Sequence, residues 1–121
     1  MILSETPIDI AKWNYLIKNG DKANSKVFFD FIKSKNLRNS IFIDNTASQI
    51  IAKEYLKYLR NNIGIVTCNK IACADKLKNY KKLKIISRKY NSPFLFETNV
   101  GAGLPIIDTL NNLISSGDKI I

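Results

Sequence analysis

Three times in succession a short apolar run gives way to a polar cluster and then to a helical stripe. SIFID (residues 40–44) leads into Asn45-Thr46-Ala47-Ser48 and a face of Ile50, Ile51, Tyr55, Tyr58 and Leu59. IGIVT (63–67) leads into Cys68-Asn69-Lys70 and a face of Leu77, Tyr80, Leu83, Ile86 and Tyr90. Pro93 to Phe96 leads into Glu97-Thr98-Asn99 and, from Leu104, a stripe of Ile107, Leu110, Leu113 and Ile114 that stops at Gly117. Apolar runs of this length bounded by turn formers suit strands, and the 3.6-residue period suits helices packed on them. The alternation predicts right-handed βαβ units on a parallel sheet, an α/β doubly wound domain. In such sheets ligands bind beyond the carboxyl ends of the strands. The clusters Asp44-Asn45-Thr46, Thr67-Cys68-Asn69-Lys70 and Glu97-Thr98-Asn99 are therefore expected to share one rim.

Ahead of this pattern the first forty residues read as two helices. Pro7, Ile8, Ile10, Trp13, Leu16 and Ile17 keep a stripe to Asn19-Gly20, and Val27, Phe28, Phe31 and Ile32 resume one to about Lys35. Both are expected to be packing elements. A chain of 121 residues, 45% of them hydrophobic, is enough for one compact domain with a modest core and argues against global disorder. With 19 Lys and Arg against 10 Asp and Glu the net charge is +9, which permits an anionic partner without choosing one. The abundance of Ile, Asn and Lys also fits a bias in genome composition. The basic run KLKNYKKLKIISRK (76–89) is expected to be a solvated helix face.

Cys68 and Cys73, in a C-x4-C spacing, give only two of the four ligands of a structural zinc site. With no His, the Ser-His-Asp and Cys-His nucleophile arrangements are excluded. No secretory or membrane-spanning run appears, so a reduced cytoplasmic setting with no membrane partner is the expectation.

Taken by themselves, the polar residues have bland readings. Asp44 and Ser48 both suit helix capping. Lys70 suits an ordinary surface lysine, and Glu97 to Pro105 a strand-to-helix turn with a glycine hinge. In that turn Gly101, Ala102 and Gly103 free the backbone to point carbonyls inward, Pro105 suits the first turn of the next helix, and carbonyl oxygens suit a hard cation.

IDNTAS (43–48), VTCNK (66–70) and FETNVGAGLPIIDTL (96–110) together resemble the homoserine dehydrogenase family, and the helical stretch before them resembles the bifunctional aspartokinase–homoserine dehydrogenases. The likeness runs from about Trp13 onward, and its ETNVGAGLP block is the most specific part. It implies an NAD(P)-dependent oxidoreductase that interconverts L-aspartate 4-semialdehyde and L-homoserine in threonine and methionine biosynthesis. It further implies that Thr46, Asn69 and Lys70 line the nicotinamide cofactor, and that Lys70 takes part in proton transfer or orients the substrate oxygen. Thr98 and Asn99 would reach the substrate. Main-chain carbonyls of Glu97, Val100, Ala102 and Leu104 would bind a monovalent cation, sodium, and the parent enzyme would be a homo-oligomer.

The chain departs from that family in several places. No G-x-G-x-x-G turn occurs anywhere in it, so the pyrophosphate cradle is missing. Cys68 stands where the family commonly has Pro, and Ile71 where it often has a second Lys. The expected layout is a helical part of the nucleotide-binding domain (1–40), the second half of a Rossmann-type sheet (41–100) and a connecting helix at the start of a catalytic domain (101–121). As a fragment of an enzyme it is expected to lack turnover alone. The competing expectation is a free-standing basic module for nucleic acid or a protein partner, recognisable by steeply salt-dependent binding. On the dehydrogenase reading no nucleic-acid partner is expected.

Overall fold

A computed structural model describes residues 1–119. The chain divides into two compact units, Met1–Arg38 and a second from Asn39 onward. In the first, a 3-10 turn at Ile10–Lys12 runs into helix α1 (Trp13–Lys18), and α2 follows at Ser25–Lys35. Asn24 caps α2, its side-chain oxygen accepting from the Lys26 and Val27 amides, and Asn36 ends it in the left-handed region. The expected single helix before Gly20 is thus a 3-10 turn plus a short α-helix. Its stripe does not pack as expected either: Ile8, Ile10, Trp13 and Ile17 are all exposed, whereas Phe29 of α2 is buried.

The second unit holds a three-stranded, wholly parallel sheet in the order β1 (Ile41–Asp44), β2 (Gly64–Thr67), β3 (Phe94–Leu95). Helices α3 (Gln49–Lys53) and α4 (Tyr55–Leu59) lie between β1 and β2, and α5 (Ile71–Ala74) and α6 (Leu77–Lys89) between β2 and β3. A 3-10 turn (Glu97–Asn99) and α7 (Ile106–Ser116) follow, and Gly117 terminates α7 at φ +104°. The α/β class and the parallel sheet are as the sequence pattern predicts. The helix expected over residues 50–59 breaks in two at Glu54, because Glu54 N donates to Ile51 O and Lys57 N to Glu54 O, bonds one residue shorter than α-helical ones.

Strand register sorts the core. Phe42, Ile65 and Phe94 are partners across the sheet and all are buried. Two tyrosines of the following helix cover that face: Tyr58 stacks on Phe42 at 4.1 Å between ring centroids, and Tyr55 meets Phe42 and Phe94 edge-on. Ser48 caps α3, accepting from the Ile51 amide, and this phases the helices so that Ala52, Tyr55, Tyr58 and Leu59 turn inward. Ile50, expected on the inner face, is 73% exposed as a result, and Leu77, at the first position of α6, is exposed as well. Across the sheet, Ile43, Val66 and Leu95 form a second row of partners that points the other way and is exposed.

Candidate functional site

The polar clusters do meet at the carboxyl ends of the strands, around a buried carboxylate. Asp44, last residue of β1, and Thr67, last of β2, are register partners on the covered face, and both are almost fully buried with Asn69 and Tyr55. Tyr55 Oη donates to Asp44 Oδ2 at 2.6 Å and lies 2.7 Å from Thr67 Oγ1. Asn69 Nδ2 donates to the same Oδ2 at 3.0 Å and to the Ser48 carbonyl at 3.1 Å. The Thr46 amide donates to Asp44 Oδ1 at 2.8 Å. Thr67 Oγ1 accepts from the Asn69 amide at 2.9 Å, and Asn69 Oδ1 accepts from the Ile71 amide at 3.1 Å.

Burial by itself would raise the Asp44 carboxyl, but the hydrogen bonds from Tyr55, Thr46 and Asn69 outweigh it and hold the group below the usual carboxylate value. Tyr55 moves the opposite way, its phenol raised by burial and by donating to Asp44. The result is a buried anion satisfied by neutral donors, and Asp44 does not cap α3. Capping of α3 falls to Ser48, as expected.

The residues expected to contact a ligand surround this hub. Thr46 is exposed, its Oγ1 accepting from the Ser48 amide at 3.1 Å. Lys70 is exposed directly before α5, with its carbonyl accepting from the Cys73 and Ala74 amides. Asn69 is buried and all its side-chain contacts are internal, so it orients its neighbours. Asn99 reaches back to the same rim, Nδ2 donating to the Asn69 carbonyl at 3.5 Å. Its Oδ1 is enclosed and accepts no hydrogen bond among the described residues. Thr98 is exposed. Cys73 is half-buried, its thiol raised by burial against the opposing influence of Asn99 and Lys84, and Cys68 is exposed with Sγ 3.6 Å from Asn45 Oδ1. Among the described residues no cluster of Cys, Asp and Glu is arranged to hold a metal.

Glu97 has a role the sequence did not reveal. Its carboxylate bridges the start of α7, Oε1 accepting from Ile107 N at 2.8 Å and Oε2 from Asp108 N at 2.9 Å. The loop so closed carries two left-handed residues, Gly101 at φ +73° and Ala102 at φ +51°. Of the four carbonyls expected to bind a cation, Glu97 O accepts from Val100 N at 3.3 Å and Leu104 O from Ile106 N at 2.9 Å. A carbonyl has a second lone pair, so neither bond removes the oxygen as a ligand.

Elsewhere, α6 carries the basic run as a largely solvated face; Lys84 is the inward exception, 5.4 Å from the Phe96 ring centroid. A cleft of about 460 Å³ among α3, α4, α5 and α6 is floored by Ala52, Leu56, Ala72 and Leu83, with Lys53 and Lys82. It includes none of Thr46, Asn69, Lys70, Thr98 and Asn99, so the cavity and the strand-end site are separate places.

Residues 10–97 match the family model described as the NAD binding domain of homoserine dehydrogenase. The chain belongs to that family. Among its relatives, a bifunctional aspartokinase/homoserine dehydrogenase of Buchnera aphidicola is 38% identical over all of this chain, and one from Arabidopsis thaliana chloroplasts 40%. A homoserine dehydrogenase of Schizosaccharomyces pombe is 39% identical over 95% of the chain. This chain spans 15%, 14% and 31% of those proteins respectively. A crystal structure of a Candida auris protein of unknown function superposes with a TM-score of 0.87 at 27% identity, covering 98% of this chain and 34% of that one. The family match supports a nicotinamide cofactor as the ligand of such a domain. Among the described residues no helix is long and apolar enough to cross a membrane.

Proposed function

We propose that the strand-end rim is the nicotinamide half of a homoserine dehydrogenase site, NAD(P)-dependent, working on the L-aspartate 4-semialdehyde/L-homoserine pair. The observation that carries this reading is the meeting of the Thr46 amide and the Asn69 side chain on one buried carboxylate at the carboxyl ends of β1 and β2, where open α/β sheets bind ligands, with Lys70 exposed at the next position of the same turn. The residues present fit the nicotinamide end of the cofactor: an exposed hydroxyl at Thr46 and an exposed amine at Lys70, on a rim set over a buried carboxylate whose own bonds are satisfied internally. The bound cofactor supplies or takes up the hydride. Lys70, a mobile point charge with three donors, orients the substrate oxygen and takes part in moving its proton. Thr46 holds the cofactor through its hydroxyl, and Asn69, fully engaged inside, holds the Lys70 turn in place. Thr98 and Asn99 face the substrate end.

On the same reading, carbonyls of Glu97, Val100, Ala102 and Leu104 gather a sodium ion in the loop that Glu97 closes. The left-handed backbone at Gly101 and Ala102 supports it, since such turns aim successive carbonyls to one side. The parent enzyme is a cytoplasmic homo-oligomer with small-molecule and nicotinamide partners, and this chain alone lacks turnover.

The test is an amide NMR titration of the chain with NADPH and, separately, NADH at moderate salt. Saturable shifts centred on Thr46, Asn69 and Lys70 support the reading. A well-dispersed spectrum with no response, or shifts confined to the basic face of α6 and abolished by salt, overturns it in favour of a basic binding module.

A further inference from the structure

Tyr55 is wholly buried, so no ligand can touch it, yet through Asp44 and Thr67 it is linked to Thr46 and Asn69 of the rim that we assign to the cofactor. Its hydroxyl donates to Asp44 Oδ2 and contacts Thr67 Oγ1. Asp44 takes the Thr46 amide on one oxygen and the Asn69 side chain on the other, and Thr67 takes the Asn69 amide. Asn69 then fixes the start of α5 through the Ile71 amide, leaving Lys70 held between two anchored residues. Protons distribute consistently around this ring: Tyr55 donates to the carboxylate, while the Thr67 hydroxyl accepts from Asn69 N and donates to Tyr55 Oη or to the Asp44 carbonyl at 3.1 Å.

From this geometry we propose that Tyr55 is a positioning residue for the cofactor site, acting through Asp44 and Thr67 to set the Thr46 backbone and the Asn69-Lys70 turn. The inference rests on the cofactor reading above. Removing the hydroxyl leaves the ring to pack against Phe42 and Phe94 as before, but takes from Asp44 Oδ2 one of its two donors. The carboxylate keeps its bonds to the Thr46 amide and the Asn69 side chain but loses the one that ties it to the core helix, so both loops are held less firmly. Buried networks of this kind act as units, so one missing donor is felt at each member.

The experiment compares three variants of the chain: Tyr55→Phe, the near-isosteric Thr67→Val, and Leu59→Ala as a control that weakens the core at a residue, likewise fully buried, with no place in the network. Amide exchange is read with and without NADPH. Tyr55→Phe should speed exchange at Thr46, Asn69 and Ile71 about tenfold more than at the β2 amide of Ile65, which donates to the Pro93 carbonyl and reads global stability. Thr67→Val should free Asn69 and Ile71 in the same way. Leu59→Ala should raise exchange across the second unit without that pattern. NADPH affinity should fall about tenfold in Tyr55→Phe and stay at the wild-type value in the folded fraction of Leu59→Ala. Exchange that is uniform in all three variants, or unchanged at the rim in Tyr55→Phe and Thr67→Val, overturns the proposal. If the wild-type chain binds no NADPH, the cofactor reading fails, while the exchange pattern still decides whether Tyr55 sets the rim.

Discussion

Replacing Glu97 by Ala should unfasten α7 and little else. The helix is 11 residues long, shorter than the roughly 12–15 at which isolated helices begin to hold in water. Packing does not make up the difference, since none of its residues is buried and Leu110, Leu113 and Ile114 are 43–50% exposed. What fastens its start is the Glu97 carboxylate, accepting from Ile107 N and Asp108 N at 2.8 and 2.9 Å. Loss of a side-chain cap costs about 0.5–2 kcal/mol. Loss of a negative charge at a helix N-terminus adds about 0.3–1 kcal/mol. The local stability of α7 should therefore drop by about 1–3 kcal/mol, which speeds amide exchange along the helix about 5- to 150-fold. Glu97→Gln, which keeps one acceptor, should fall between. Exchange measured by NMR at fixed pH reads this directly, with Ile65 as the internal reference. Unchanged α7 exchange in Glu97→Ala, or equal acceleration at Ile65, would refute the account of this cap.

Two further outcomes follow from the site and its loop. Asp44 has a folded-state value held below its ordinary 3.8, so its contribution is fully present above that value and is lost as pH falls through the lower, folded one; urea midpoints taken between pH 6 and 2 should decline below about pH 4, with Asp44→Asn already weaker at pH 6 and declining less. Gly101→Ala places a side chain at φ +73° with its Cβ against Ile106, so it should destabilise the loop and α7 by about 1–2 kcal/mol, read as faster exchange at Leu104 and Ile106.

The sheet and its rim were legible because each strand is a compact apolar run ended by polar residues, and a parallel sheet collects those ends on one side. The inner face of α3 and α4 was only partly legible. Tyr55, Tyr58 and Leu59 read correctly as core, but Ile50 outranks Ala52 in hydrophobicity and points outward, because the Ser48 cap, not apolarity, sets the helical phase. The Tyr55–Asp44 bond was invisible. A tyrosine at helical spacing looks like core, an aspartate at a strand end looks like a cap, and only the register of β1 against β2 brings Asp44, Thr67 and Asn69 together. Glu97 was hidden for a related reason: its capped amides lie 10 and 11 residues onward, beyond any local capping pattern. In the N-terminal unit an apolar stripe without burial shows that periodicity predicts a helix more securely than it predicts what the helix packs against.

Whether the rim around Asp44 is a nicotinamide site can be read from NADPH fluorescence titration of the chain and its Lys70→Ala variant at matched ionic strength. Lys70 is exposed and its side chain makes no hydrogen bond or ion pair among the described residues, so the variant should fold as the wild type does. A nicotinamide site there gives saturable binding that weakens about tenfold, or about 1.4 kcal/mol, in Lys70→Ala. Equal affinity in the two proteins, or no saturable binding by the wild-type chain, would contradict it.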